Sequence, residues 1–476
     1  MTTRDSTITA GAPTPAAARL WRNEMIETIR LALPIALTQL GQVAMMTSDL
    51  VLIGHLGDNA IAASALAQTV LFAAFVIGMG LVSAVAPLAA QAFGAREPRM
   101  VRRALRVGLW TAVIIGAPLT AIQHAGESLL IALGQQQEAA HLAGRYLNGL
   151  GWSLVPAWWF IALRSFMGAV NRPEPALWIM IAAIPLNVLL AYALIYGAFG
   201  LPRLDLLGAG VATTLINIGM CVAGFWVCYT QRPFKKYRVL SHFWRADWPL
   251  LGRLVAVGAP IAGAFLLEYG LFAAAAILMG WIGTIALAAH QIALQTAAVL
   301  FMVPFGISMA ATVRVGHAVG RDDAAGSRRA GLAAIGLGAA FMTAMAVVVV
   351  ATRHLIPLLF LRAGESDAEA TAALAATLLT IGATFYIADG VQTIAAGALR
   401  GLNDTRVPLF FAAVSFWGVG FATSYSLAFP AHLQAAGIWA GFTVGLGVYA
   451  TLLVWRFNAL SRRGYMPATP GHATPH

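Results

Sequence analysis

Hydrophobic residues run almost unbroken through this chain, and the breaks recur at intervals. Apolar stretches of more than 20 residues alternate with short polar segments that hold most of the charge. A bilayer core about 30 Å thick takes about 20 apolar residues per helix. On that scale the pattern predicts twelve spans, near 32–56, 61–90, 104–123, 140–163, 176–198, 207–230, 254–279, 284–313, 330–351, 370–396, 408–429 and 435–455. In lipid every backbone amide must be satisfied internally, so helices or a closed barrel are the choices. Barrel strands would show short segments of alternating polarity, whereas these runs are continuous and rich in Ala, Leu, Gly and Val. The expected fold class is an all-α polytopic membrane protein.

The pattern also repeats. A shift of 226 residues lays Pro34-Ile35-Ala36 on Pro260-Ile261-Ala262, Gly54 and Gly57 on Gly280 and Gly283, and Ala92-Phe93-Gly94 on Ala318-Val319-Gly320. Further on, Ala162-Leu163-Arg164 meets Ala398-Leu399-Arg400 at a shift of 236. Six spans per half make the two repeats parallel, related by an axis along the membrane normal around a central cavity, which is a transporter architecture. The expected units are a tail over 1–30, a six-helix bundle over 31–230, a linker over 231–253, a second six-helix bundle over 254–460 and a tail over 461–476.

Composition agrees with lipid as the solvent. Of 476 residues 59% are hydrophobic and 10% charged, with mean hydropathy +0.77, against about 25% charged in a soluble domain. The net charge of +11 invites a nucleic-acid partner, but its placement excludes one. With the N-terminus inside, 26 of the 30 Lys and Arg fall in alternate segments; the exceptions are Arg145, Arg203, Arg353 and Arg362. The positive-inside rule then puts both termini in the cytoplasm. No cleavable signal peptide is read, because Arg4, Arg19, Arg22 and Arg30 precede any apolar core. The first 30 residues read as a cytoplasmic tail, partly disordered around Gly11 to Pro15. Cys221 and Cys228 share one span, about 10 Å apart at the helical rise, too far for a disulfide.

Three acidic residues lie well inside spans: Asp49, Glu268 and Asp389. A charge at mid-helix costs about 2.5–3.5 kcal/mol on the insertion scale, so it normally faces a cavity or a partner. Glu268 follows Arg253 by 15 residues and Asp389 precedes Arg400 by 11, which places both near mid-depth from one side. Such carboxylates suit a sodium ion or a proton as driving cation and attract a cationic substrate; the plainer reading is a hydrogen bond to a neighbouring helix. The 226 shift sets Gln42 opposite Glu268, so that station is polar in both halves. Asn187, after Pro185, either ligates a cation or bonds a helix. His290, beside Gln291, either relays protons or makes a structural hydrogen bond. Tyr386, one turn before Asp389, and Trp417 are candidates for an aromatic wall around flat cations. Pro34 and Pro260 are candidate hinges, since proline frees a backbone carbonyl. No nucleotide-binding P-loop, His-Glu-x-x-His or Cys-x-x-Cys motif occurs, and no enzyme or cofactor is expected.

Read together, these residues resemble the multidrug and toxic compound extrusion (MATE) transporters, in their NorM-like bacterial branch. The resemblance covers about residues 30–460 and rests on Gly397-Ala-Leu-Arg-Gly-Leu-Asn-Asp-Thr-Arg406 after Asp389 and Gln392, on Ala288-Ala-His-Gln-Ile292, on Pro304-Phe-Gly-Ile-Ser-Met-Ala-Ala311, and on Asp49 followed by Gly54 and Gly57. It implies a V-shaped monomeric exporter of organic cations in a bacterial inner membrane, exchanging them for sodium ions or protons. By position, Asp49 matches the first-half acid of the family, and Glu268 and Asp389 match its second-half cation site. One departure is that Ala191 stands four residues after Asn187, where some relatives carry Asp. Two other functions place different demands on the chain. A lipid-linked precursor flippase would need a strongly cationic cavity, whereas the buried charges read here are acidic. A membrane-embedded transferase would need catalytic residues clustered in a long loop, and the loops are short.

Overall fold

The structure, a computed structural model, describes residues 15–241, 243–245, 247–361 and 367–467. Residues 1–14, Arg362 and residues 468–476 lie outside the described residues, as do the expectations made for them. No strand occurs among the described residues. Eleven helices are long and apolar enough to cross a membrane: α1 (Pro15–Gly54), α2 (Asn59–Gly94), α3 (Pro98–His124), α5 (Glu174–Tyr196), α6 (Asp205–Thr230), α7 (Trp248–Ile282), α8 (Thr284–Gly320), α9 (Ala324–Thr352), α10 (Ala368–Gly401), α11 (Arg406–Ala428) and α12 (Gln434–Arg462). The twelfth, α4, runs as Gln137–Leu150 and Leu154–Ala169 around one 3-10 turn at Gly151–Ser153. Glycine weakens a helix here and Pro156 removes a donor. The carbonyls at the break are taken up by neighbours: Thr214 Oγ1 donates to Gly149 O at 2.6 Å and Thr120 Oγ1 to Gly151 O at 3.1 Å.

Several helices outrun the spans that hydropathy marks. α1 starts at Pro15 and takes in Arg19, Arg22 and Glu24, and α8 continues to Gly320. Hydropathy registers only the stretch that lipid can bury; the additional turns are held by pairing instead, as where Arg314 meets Glu24 at 2.8 Å. α1 passes through Pro34 and α7 through Pro260 without a break, and Thr38 Oγ1 donates to Pro34 O at 2.7 Å. Ala413–Phe421 of α11 is wound as a π-helix.

The start of α1 meets the start of α9 and the end of α12 around Trp21, Arg329 and Arg462. The connecting segment before α7 lies at the same end, where Arg103 Nε donates to Asp247 Oδ2 at 2.6 Å; this end is called the linker side below. Arg103 holds the Asp247 carboxyl below the usual carboxylate range.

The repeat seen in the sequence reappears as a matched pair of contacts between the halves. α1 packs along α8 and α2 along α7. A Cβ on Gly80 would stand 2.4 Å from Ala262 Cα, and one on Gly306 would stand 2.7 Å from Ala36 Cβ; the 226 shift carries Gly80 onto Gly306 and Ala36 onto Ala262, so the two contacts are equivalent. Nearer the linker side, a Cβ on Gly94 would meet the His317 carbonyl oxygen at 2.3 Å, and one on Gly320 the Gln91 carbonyl oxygen at 2.0 Å, again in register. The polar side chains at these two stations also cross between halves. Gln91 Nε2 donates to Gly401 O at 2.9 Å and accepts from Asn403 Nδ2 at 2.9 Å, while His317 Nε2 lies 2.7 Å from Ala169 O. With Arg314–Glu24, these bonds close the two halves on each other at the linker side.

Candidate cation and substrate sites

The second-half site is assembled by two helices. Glu268 projects from α7 and Asp389 from α10, and Gln392 follows Asp389 by three residues, which puts both on one helix face. The Gln392 amide bridges the two acids: Nε2 donates to Glu268 Oε1 at 2.9 Å and to Asp389 Oδ1 at 3.1 Å, with Thr393 Oγ1 at 3.0 Å. Asp389 is buried and Glu268 half-buried. A primary amide has two N–H groups, so three acceptors compete for them and one is always short of a donor. Arg400 and Tyr449 lie within electrostatic range of Glu268. A half-turn of the Gln392 amide exchanges its donor for its oxygen, which then joins two carboxylates and the Thr393 hydroxyl in an oxygen set suited to sodium. Gln392 and Thr393 had no assigned role from sequence, although the spacing from Asp389 was the available signal.

The first-half site forms around Asp49 on α1, which is buried. Asn187 Nδ2 of α5 donates to Asp49 Oδ1 at 2.6 Å, and Thr213 Oγ1 of α6 to Oδ2 at 3.2 Å. Asn187 is fully buried and its Oδ1 has no partner. An orphaned buried acceptor is costly, and here it is an open ligand position beside a carboxylate. Tyr146 lies within electrostatic range of the same acid and is hydrogen-bonded to Gln68. The structure thus joins two residues that the sequence singled out separately, Asp49 and Asn187, and adds Thr213. Ala191, the position of the departure, is packed in the core. Gln42, half-buried, joins neither cluster.

The remaining candidates divide by environment. His290 is fully buried, and Trp439 Nε1 donates to its Nδ1 at 3.1 Å. Trp439 and Phe442 pack on the imidazole at centroid separations of 5.8 and 6.4 Å. Accepting at Nδ1 leaves the proton on Nε2, which has no partner. Gln291, the next residue, points out of the bundle and is exposed. Tyr386 is buried against Phe385, with its hydroxyl 3.5 Å from Ala293 O, and does not meet Asp389. Trp417, on the π-helical stretch, is 40% exposed and donates to Leu267 O at 3.2 Å, adjoining Glu268.

A cavity lies between the halves, lined by residues of both, among them Gln39, Arg164, Phe265 and Arg400. The charges that the sequence marks inside spans are acidic, whereas this cavity is lined by two arginines and no carboxylate. Their stations are periodic and basic residues near span ends read as loop charge, which is why the sequence concealed them.

Comparison with known proteins follows the same lines. The family model described as MatE matches residues 34–193 and 260–426. The chain is 62% identical over 463 residues to the "Probable multidrug resistance protein NorM" of Rhodopseudomonas palustris, covering 97% of each chain. It is 58% identical over 441 residues to the protein of that description from Bradyrhizobium diazoefficiens, covering 93% of this chain and 94% of the other. Among solved structures, the eukaryotic MATE transporter AtDTX14 superimposes with a TM-score of 0.83 at 20% identity, covering 94% of this chain and 99% of that one. An outward-facing multidrug resistance MATE family transporter gives 0.82 at 19% identity, covering 96% and 100%.

Proposed function

Because the chain belongs to the MATE family, in its NorM-like bacterial branch, we propose that it is a secondary active exporter of organic cations, driven by antiport of sodium ions or protons. It is a transporter and not an enzyme. It works as a monomer in the bacterial inner membrane, and the linker side with its clustered Arg and Lys residues is cytoplasmic.

The observation that carries the reading is the Gln392 amide bridging Glu268 and Asp389. Two carboxylates so close in a weakly screened interior attract a cation strongly. A drug cation and a sodium ion or proton therefore compete for one negative site, and competition of this kind is what couples their opposite fluxes. The Asp49–Asn187–Thr213 group offers a second station of the same chemistry in the first half. Export further requires that each occupant bias the two halves toward a different arrangement, and the linker-side contacts in register are the element that has to open.

The test is efflux of a fluorescent cationic dye from proteoliposomes under a sodium or a proton gradient, each imposed alone. One gradient should drive dye movement in the wild type, and Glu268→Gln and Asp389→Asn should each abolish it. Asp49→Asn is expected to lower the rate without abolishing dye binding. Gradient-driven efflux that persists in folded Glu268→Gln and Asp389→Asn would overturn the assignment of this cluster as the coupling site.

A further inference from the structure

The cavity between the halves has an unusual charge for a protein read as a cation exporter. Arg164 and Arg400 are the charged residues lining it, and they occupy matching stations, 236 apart. Each is held by the residue at a second matched station, 226 apart on α1 and α7: Arg164 Nη1 donates to Gln39 Oε1, and the Arg400 guanidinium lies over the Phe265 ring at 4.9 Å. Neither arginine has a carboxylate oxygen within 4 Å among the described residues, and the one acid within electrostatic range, Glu268 of Arg400, is itself bonded to Gln392. The buried Ser165 hydroxyl, on the same wall, has no hydrogen-bond partner.

A guanidinium stays charged at any physiological pH and presents five donors in a planar fork. Gln39 takes one donor of Arg164, and an aromatic face takes none from Arg400. Holding two such groups against a mostly apolar wall is expensive unless an anion completes them. Carboxylate and phosphate oxygens match the fork in a bidentate way, and the free Ser165 hydroxyl adds a further donor. The cavity has about 40 Å³ of room for water as the halves now stand. That suits a single anionic group, with the body of its carrier accommodated only when the halves part.

We infer that Arg164 and Arg400 form a subsite for a carboxylate or phosphate monoanion borne on an apolar body, entering from the linker side. The inference rests on the reading of the chain as a transporter for its biological meaning, but the binding itself does not. A substrate carrying both charges would then set its negative group on the arginines and its positive group toward Glu268 and Asp389. The carrier is either a free amphiphile or the head of an anionic lipid, since the recognised chemistry is the same.

Benzoate and benzamide are a suitable pair of probes, being alike in shape and different in charge. Purified full-length protein, in uncharged detergent, is expected to bind radiolabelled benzoate and not benzamide. Arg164→Gln and Arg400→Gln should each weaken benzoate at least tenfold, with the Lys variants falling between. Gln39→Glu supplies a tethered carboxylate beside Arg164 and should abolish benzoate binding while keeping both arginines, which covers the case in which a Gln variant fails to fold. Displacement of benzoate by phosphatidylglycerol in nanodiscs, and not by phosphatidylcholine, would identify a lipid head as the occupant; no displacement would identify a free amphiphile. Equal binding of benzoate and benzamide, no benzoate binding by folded wild type, or undiminished binding in Gln39→Glu would overturn the inference. Failure of cationic dye efflux with benzoate binding intact would instead count against the exporter reading alone.

Discussion

Replacing Gly320 by alanine should push the two halves apart at the linker side. The added Cβ would stand 2.0 Å from the Gln91 carbonyl oxygen and 2.7 Å from the Ala95 nitrogen. Non-bonded heavy atoms settle at about 3.5 Å, so α8 and α2 have to separate by about 1.5 Å at this point. The neighbouring bonds from Gln91 to Gly401 O and from Asn403 to Gln91, both 2.9 Å, would then exceed the roughly 3.2 Å limit of a good hydrogen bond. Overpacking costs about 1–3 kcal/mol, and each lost bond adds about 0.5–1.5 kcal/mol. Taking about 3 kcal/mol in all, and charging it only to the arrangement closed at the linker side, the population ratio shifts by about a hundredfold. Spin labels on Arg99→Cys and Asp322→Cys, both exposed positions, report the separation by double electron–electron resonance after Cys221 and Cys228 are replaced by alanine. The wild type should give a short distance and Gly320→Ala a second, longer one. Gly336→Ala, whose Cβ would meet nothing within 4 Å, is the control and should change neither distance nor stability. An unchanged distance distribution in Gly320→Ala would refute the reasoning, whether or not the melting temperature falls.

Two further outcomes follow from the polar contacts. Asp247 accepts from Arg103 and caps α7 through the Leu250 amide; because its folded pKa is lowered, its contribution is present above the ordinary carboxylate range and fades as pH falls through the folded value. Asp247→Asn should therefore cost roughly 1–2 kcal/mol at pH 7, with the gap to wild type narrowing in thermal melts as pH drops below about 4. Trp439→Phe leaves His290 Nδ1 without its donor in a fully buried setting, and should lower thermal stability by about 1–3 kcal/mol; an unchanged melting temperature would show that the imidazole finds another partner.

The twelve helices, the two halves and the three carboxylates were legible in the sequence because each is a local or periodic property. A span is a sum of hydropathy over about 20 residues, and a charge within one is conspicuous because lipid excludes it. Hydropathy was blind to the first turns of α1, from Pro15 onward, and to the last turns of α8, where protein contacts rather than lipid hold the helix. It also ran over the break at Gly151–Ser153, since a 3-10 turn with its carbonyls satisfied by Thr120 and Thr214 leaves composition unchanged.

Partnership was the part that only the tertiary structure decided. Lipid and protein interior are equally apolar, so no hydropathy value separates a residue facing lipid from one facing another helix. For that reason Tyr386 and Trp417 looked alike in sequence, yet one is sealed in a packed aromatic cluster and the other is exposed beside Glu268. Asp49 and Asn187 are 138 residues apart and Glu268 and Gln392 are 124 apart; nothing local to either residue names its mate. The 226-residue register did carry further than expected, because a repeat that folds twice must also meet itself, and Gly94, Gly320, Gln91 and His317 do so at the linker side. What the register alone left undecided was the sign of the cavity, since Arg164 and Arg400 read as loop charges until the helices brought both into the lining of one cavity between the halves.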